Sequence, residues 1–198
     1  MANTNAPYGF RQYSGTGSAP TYEQVAVQIA YNTTNIFFGD PVAPTNTGYI
    51  TQAGSSGGSS DTQIAGIFVG CQYLSTAQKR TVWSNYYPGG TDPVSGTITG
   101  YIVNDPNAKF IAQTSSAGAT QTNINNTVGF TIGSGNTANG ISAALVNMTT
   151  AGTDSTQPFR IVSLVVDPPG VNGTDITSGY NSVIVAFNNV STKSLVGI

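Results

Sequence analysis

A chain of 198 residues with only 7% charged side chains must build its surface from Ser, Thr, Asn, Gln and Gly, while 38% hydrophobic residues are enough for a core. A net charge of -2 with six scattered Lys and Arg leaves no electrostatic footprint for nucleic acid, so no nucleic-acid partner is expected. The single Cys excludes an internal disulfide, and no apolar run approaches the roughly 18 residues of a spanning helix, so no membrane is expected either.

Met1 to Pro20 is polar, glycine-rich and aperiodic, with Tyr8, Phe10 and Tyr13 as its only sizeable apolar groups. It reads as a frayed terminus or as an arm whose aromatics dock on a neighbouring molecule. Aromatics and Arg are the usual interface anchors, so Pro7, Tyr8, Gly9, Phe10, Arg11 and Tyr13 form the candidate partner-binding set. Pro7 and Gly9 keep the segment out of a helix, and the arm is expected to reach outward in extended form, dispensable to the fold beneath it. The start carries neither a basic region nor an apolar stretch of the secretory kind, so the chain is expected to stay in the cell that makes it.

From Tyr22 the pattern alternates strictly, Val25, Val27, Ile29 and Tyr31 against Gln24, Ala26, Gln28 and Ala30, which predicts a half-buried strand. Ile36 to Phe38 runs into the Gly39-Asp40-Pro41 bend, Tyr49 to Ala53 reads as a short strand, and Gly54 to Ser60 as a surface loop. Ile64 to Tyr73, IAGIFVGCQY, is a β-prone apolar run broken by Gly66 and Gly70. It predicts a buried, curved strand at the centre of a sheet, with Cys71 as a small core residue. The densest aromatic cluster, Trp83, Tyr86 and Tyr87, follows. Further strands are predicted over Gly96 to Asn104 and Phe110 to Gln113. Ser115 to Asn126 is polar and divides the chain into an arm (1–20), a barrel-like domain (21–114) and a C-terminal β-rich part packing on it (115–198). Beyond it, Val128 to Ile132 reads as a strand, Asn139-Gly140 as a hairpin turn, and Ile141 to Met148 as a strand rather than a short helix. Phe159 to Val166 and Val183 to Phe187 are apolar on both faces and are expected to be covered on both. No stretch holds a convincing helical period. The predicted fold is all β, a barrel or sandwich of short antiparallel strands.

No histidine is present, which removes Ser/His and Cys/His nucleophile activation and the commonest metal ligand. Of the eight acids, Asp40, Asp92, Asp105 and Asp167 directly precede proline, where an Asp side chain commonly caps a turn. Asp61 and Asp154 sit in Ser/Thr/Gly loops, and a glycosidase-like carboxylate pair is the enzymatic rival. Gly133-Ser134-Gly135 is an incomplete dinucleotide fingerprint with no βαβ unit around it. The five sequons, at Asn32, Asn125, Asn147, Asn172 and Asn189, are what chance yields in a chain rich in Asn, Ser and Thr. Trp83, Tyr86 and Tyr87 could stack sugars or bases, but the β-rich setting favours a barrel-closing core or a subunit contact. Catalytic groups, cofactors and metals are not expected.

The opening ANTNAPYGF, GDPV at 39–42, IAGIFVGCQY at 64–73, VWSNYYP at 82–88 and NDPNAKFIAQ at 104–113 run in an order that resembles the head decoration, or cement, proteins of tailed bacteriophages. GSGNT at 133–137 and the closing PFRIVSLVVDP and YNSVIVAFNN extend the resemblance over nearly the whole chain. Its motifs belong to turns and core. The polar insert at Gly54 to Ser60 and the scarcity of charge near the end depart from the commoner pattern. The resemblance implies a non-enzymatic virion protein, made in the host cytoplasm. It would bind the major capsid protein on the capsid's outer surface, commonly as a homotrimer, and resist the pressure of packaged DNA. The alternative is a carbohydrate-binding or hydrolytic module of a tail fibre or baseplate, with Trp83, Tyr86 and Tyr87 as its platform.

Overall fold

The computed structural model describes residues 2–15, 24–54, 63–167 and 174–193. Within them the chain is all β, with two single turns of 3₁₀ helix at Gly89–Thr91 and Gln121–Asn123. In chain order the strands are β1 (Arg11–Ser14), β2 (Val25–Gln28), β3 (Ile36–Phe37), β4 (Pro41–Pro44), β5 (Ile50–Gln52), β6 (Gly66–Ser75) and β7 (Arg80–Ser84). They continue with β8 (Tyr86–Tyr87), β9 (Thr99–Val103), β10 (Lys109–Gln113), β11 (Thr127–Asn136), β12 (Ile141–Gly152), β13 (Phe159–Leu164) and β14 (Ser182–Phe187). Tyr22, Glu23, the 55–60 loop, Asp61 and the sequon at Asn172 lie outside the described residues.

One sheet runs β1-β10-β14-β13-β11-β12, antiparallel throughout. It curls until its far side meets the end of β10: Thr114 bridges Val146 of β12, and the Ser115 N–H donates to the Val146 carbonyl at 2.8 Å. Closure turns alternate residues into a single interior. Phe110 and Ala112, Val128 and Phe130, Ala144 and Val146, Phe159 and Ile161, and Val183 and Val185 all fill it. Their intervening partners face outward, where Val162 and Ile184 are half-buried rather than covered, so the expectation of two fully covered faces holds only for the inner one.

The second sheet runs β2-β9-β6-β4-β5, with β7 also on β6. It closes in the same way, through a bridge between Ile29 and Ile50 and an Ala30 N–H bond to the Ile50 carbonyl at 3.2 Å. The β3–β8 ribbon adds Ile36 and Tyr87 to its core. Strand β6 serves both interiors: Ile67 packs in the first core with half-buried Val69 against it, while Phe68, Cys71 and Tyr73 enter the second. A bulge between Phe68 and Gly70 shifts the phase by one residue, so Phe68 and Cys71, three positions apart, share a face. That is why this run is apolar on both sides. It is the shared wall, and the predicted central strand.

The turn joining β11 to β12 reaches across to the second unit, where Asn85 Nδ2 donates to the Asn139 carbonyl at 2.6 Å. Gly135 lies against the ring of Phe37, which leaves no room for a side chain, so packing accounts for that glycine of the GSG run.

The N-terminal segment is extended, as expected, but it lies inside the fold instead of reaching away from it. Strand β1 pairs with β10, and Asn3 Nδ2 donates to the carbonyls of Asp175 and Gly179 at 2.8 and 3.0 Å. Gln113 holds the segment from below: its Nε2 donates to the Thr4 carbonyl at 2.8 Å, and its Oε1 accepts from the Ala6 N–H at 3.0 Å. Strand β10 in turn belongs to the same sheet as β11 to β14, so the polar stretch after residue 114 joins strands of one barrel. Within it, buried Asn181 binds Thr114 Oγ1 and both the N–H and the carbonyl of Ala119, at 2.7 to 2.8 Å.

Candidate functional site

The carboxylates are engaged one by one in separate turns. Asp40 is fully buried and accepts from the Phe37 N–H and Gln52 Nε2 at 2.8 Å each on Oδ2, and from Ser142 Oγ at 2.5 Å on Oδ1. Burial pushes its pKa above the ordinary carboxylate value and so favours the protonated form, against the pull of these three donors. Asp92 ties the end of the β6–β7 hairpin by accepting from the Ala77 N–H at 3.0 Å and Ser75 Oγ at 2.9 Å. These bonds, the backbone one foremost, hold it below the ordinary value. Asp105 accepts from the Asn107 N–H at 2.9 Å, so three of the four Asp-Pro residues cap turns as expected. Asp154 and Asp175 accept from Thr156 and Thr177 two residues on and are likewise lowered by those bonds. Among the described residues no three of Cys, Asp and Glu come together.

Cys71 is buried in the second core, donates to the Tyr86 carbonyl at 3.5 Å, and has its thiol pushed up to about 12 by burial. A disulfide reagent at pH 8 should therefore modify the native protein at least roughly a hundredfold more slowly than the urea-unfolded chain, because so little thiolate is present. Equal rates in a stopped-flow comparison would contradict the buried placement.

The six N-terminal candidates separate into inward and outward groups. Phe10 is 1% exposed, lies flat on Phe159 with ring centroids 4.5 Å apart, and is therefore taken up by this chain's own core instead of being an anchor for a neighbour. Gly9 precedes it with φ +74°, a conformation glycine adopts without strain, and an added Cβ would come within 2.8 Å of Ser142 Cβ. Tyr8 is half-buried, with its hydroxyl 3.3 Å from Ser182 Oγ, and Pro7 is half-buried beside it. Arg11 and Tyr13 point outward, Tyr13 being 56% exposed, and the Arg11 guanidinium sits 4.9 Å from the Tyr8 ring centre. The outward set is thus Arg11 and Tyr13.

The aromatic cluster also divides. Tyr87 is fully buried in the second core, as a barrel-closing residue should be, and half-buried Tyr86 stacks on Phe37 at 5.6 Å. Trp83 faces the other way and is 56% exposed. Its indole rests on β6 at Gly70, where an added Cβ would lie 2.6 Å from Cζ2, and reaches Tyr101 of β9 at 5.0 Å. A Gly70→Ala change should displace the indole and shift its emission in a fluorescence spectrum. Tyr101 was not singled out from sequence; only the register that sets Gly70 opposite Tyr101 and Trp83 opposite Gln72 brings these rings together. No family model, no curated protein and no solved structure matches the chain.

Proposed function

We propose that this chain is a non-enzymatic structural protein of a bacteriophage virion, bound to the outer surface of the capsid through the major capsid protein. The observation that carries this reading is the Arg11 and Tyr13 pair, exposed on a strand that buried Phe10 anchors to the core. Such a pair is pre-ordered for docking and needs no further backbone ordering, which would otherwise cost roughly 1 to 2 kcal/mol per residue. The motif resemblance supports the capsid as partner. Carboxylates committed to turns and a buried thiol support holding over conversion. Three copies around a three-fold capsid position would link three modest contacts into one tight one, and the near-uncharged surface offers little repulsion between copies.

Cryo-microscopy of the source virion tests the placement, and density for the chain confined to the tail would overturn it. In reconstitution with capsids stripped of this protein, the combined Arg11→Ala and Tyr13→Ala variant should bind at least about tenfold more weakly with its melting transition unchanged. Light scattering should give the mass of a trimer for the capsid-competent form.

A further inference from the structure

The outward face of the second sheet carries an uncharged row that crosses four strands. The register sets Trp83 of β7 opposite Gln72 of β6, Gln72 opposite Thr99 of β9, and Thr99 opposite Gln28 of β2. Directly paired residues share a face, so these four side chains stand in line. Trp83, Gln72 and Gln28 are exposed and Thr99 is half-buried. Gln28 Nε2 already reaches Thr99 Oγ1 at 3.4 Å, which holds that end of the row together. Strands about 4.8 Å apart make the row about 14 Å long, close to three pyranose units of about 5 Å each.

We propose that this row is a binding site for a neutral oligosaccharide, seated with one sugar face on the Trp83 indole and its hydroxyls along Gln72, Thr99 and Gln28. The chemistry is complementary at each point. Sugar C–H groups carry slight positive charge and meet the negative face of an indole, while amides and a hydroxyl both donate and accept as sugar hydroxyls do. No cation stands in the row to attract phosphate or sulfate. Gly70 lets the indole lie down on the sheet, and Tyr101 at 5.0 Å and 48° props it from the side, so the ring is positioned before any ligand arrives. A strip one or two side chains wide is also far smaller than the roughly 800 Å² per partner of a stable protein interface. The site is independent of capsid attachment and is read on the isolated chain, so failure here leaves the capsid reading standing, and the reverse.

Trp83 is the only tryptophan, so its emission reports the site directly. The isolated protein is titrated with hexasaccharides of glucose, mannose, xylose and N-acetylglucosamine, with a heparin hexasaccharide as the charged comparator. At least one neutral sugar should change the emission saturably. By calorimetry, Trp83→Ala should weaken that binding about tenfold or more, and Gln28→Ala at the far end at least about threefold, with circular dichroism unchanged. Binding of the charged sugar alone, no saturation by any neutral one, or undiminished binding by Trp83→Ala would overturn the proposal. So would a change of oligomeric state in Trp83→Ala on sedimentation, which would make the face a contact between copies.

Discussion

Replacing Phe10 with alanine should lower the unfolding free energy by about 3 to 5 kcal/mol, a large share of the roughly 5 to 15 kcal/mol that holds a domain folded. Its ring lies on Phe159, which in turn meets Phe130 at 6.1 Å and Phe187 at 5.9 Å, while Phe187 meets Phe110 at 4.9 Å. Removing it opens a cavity among side chains fixed by a closed sheet, which cannot collapse to fill it. Deleting residues 2–12 should do more: beyond Phe10 it removes half of β1 and leaves the Gln113 amide without the Thr4 and Ala6 partners it has now. The truncated chain should show no cooperative melting transition. The control is Tyr13→Ala, which should shift stability by no more than about 0.5 kcal/mol because the ring is exposed. A truncated chain that melted like the full one would show the segment to be dispensable.

The second large effect concerns Asp40, which binds the Phe37 turn, Gln52 of β5 and Ser142 of β12 at the junction of the two units. Asp40→Ala should cost about 2 to 6 kcal/mol, since a buried donor left without an acceptor costs about 1 to 3 kcal/mol and two, the Phe37 N–H and Ser142 Oγ, are left. Asp40→Asn keeps an acceptor for Phe37 and Gln52 and turns an amide donor toward Ser142, so it should fold with nearly normal stability. Because burial raises the folded carboxyl above its unfolded value, the folded chain keeps a proton that the unfolded chain has released. The stability from that proton is complete below the unfolded value and is lost as pH rises through the folded one. Urea titrations from pH 4 to 7 should show Asp40→Asn gaining on the parent as pH rises. Asp92, Asp154 and Asp175 act in the opposite sense, losing their contribution as pH falls, and are common to both proteins. A constant difference between variant and parent across this range would contradict the buried-acid account.

Sequence by itself determined the class of this protein and much of its local chemistry. Alternation and punctuation by Gly and Pro carry a two-residue period wherever they occur, which is why the all-β fold, the buried Ile64 to Tyr73 run, the Asn139-Gly140 turn and the Asp-Pro caps were legible. Each of these depends on neighbours a few residues away. Tertiary structure alone decided what depends on register and closure. Phe10 stands in a polar stretch because its partner, Phe159, is far along the chain, and no local pattern marks a residue whose apolar surroundings are all remote. Trp83 and Tyr87 look alike in sequence, yet Tyr87 pairs with Ile36 and turns inward, while Trp83 pairs with Gln72 and turns outward. The row across β7, β6, β9 and β2 has no trace in the linear order, since its members meet only when four strands are set side by side. A one-residue shift in any of those pairings would turn that strand's member of the row to the other face of the sheet.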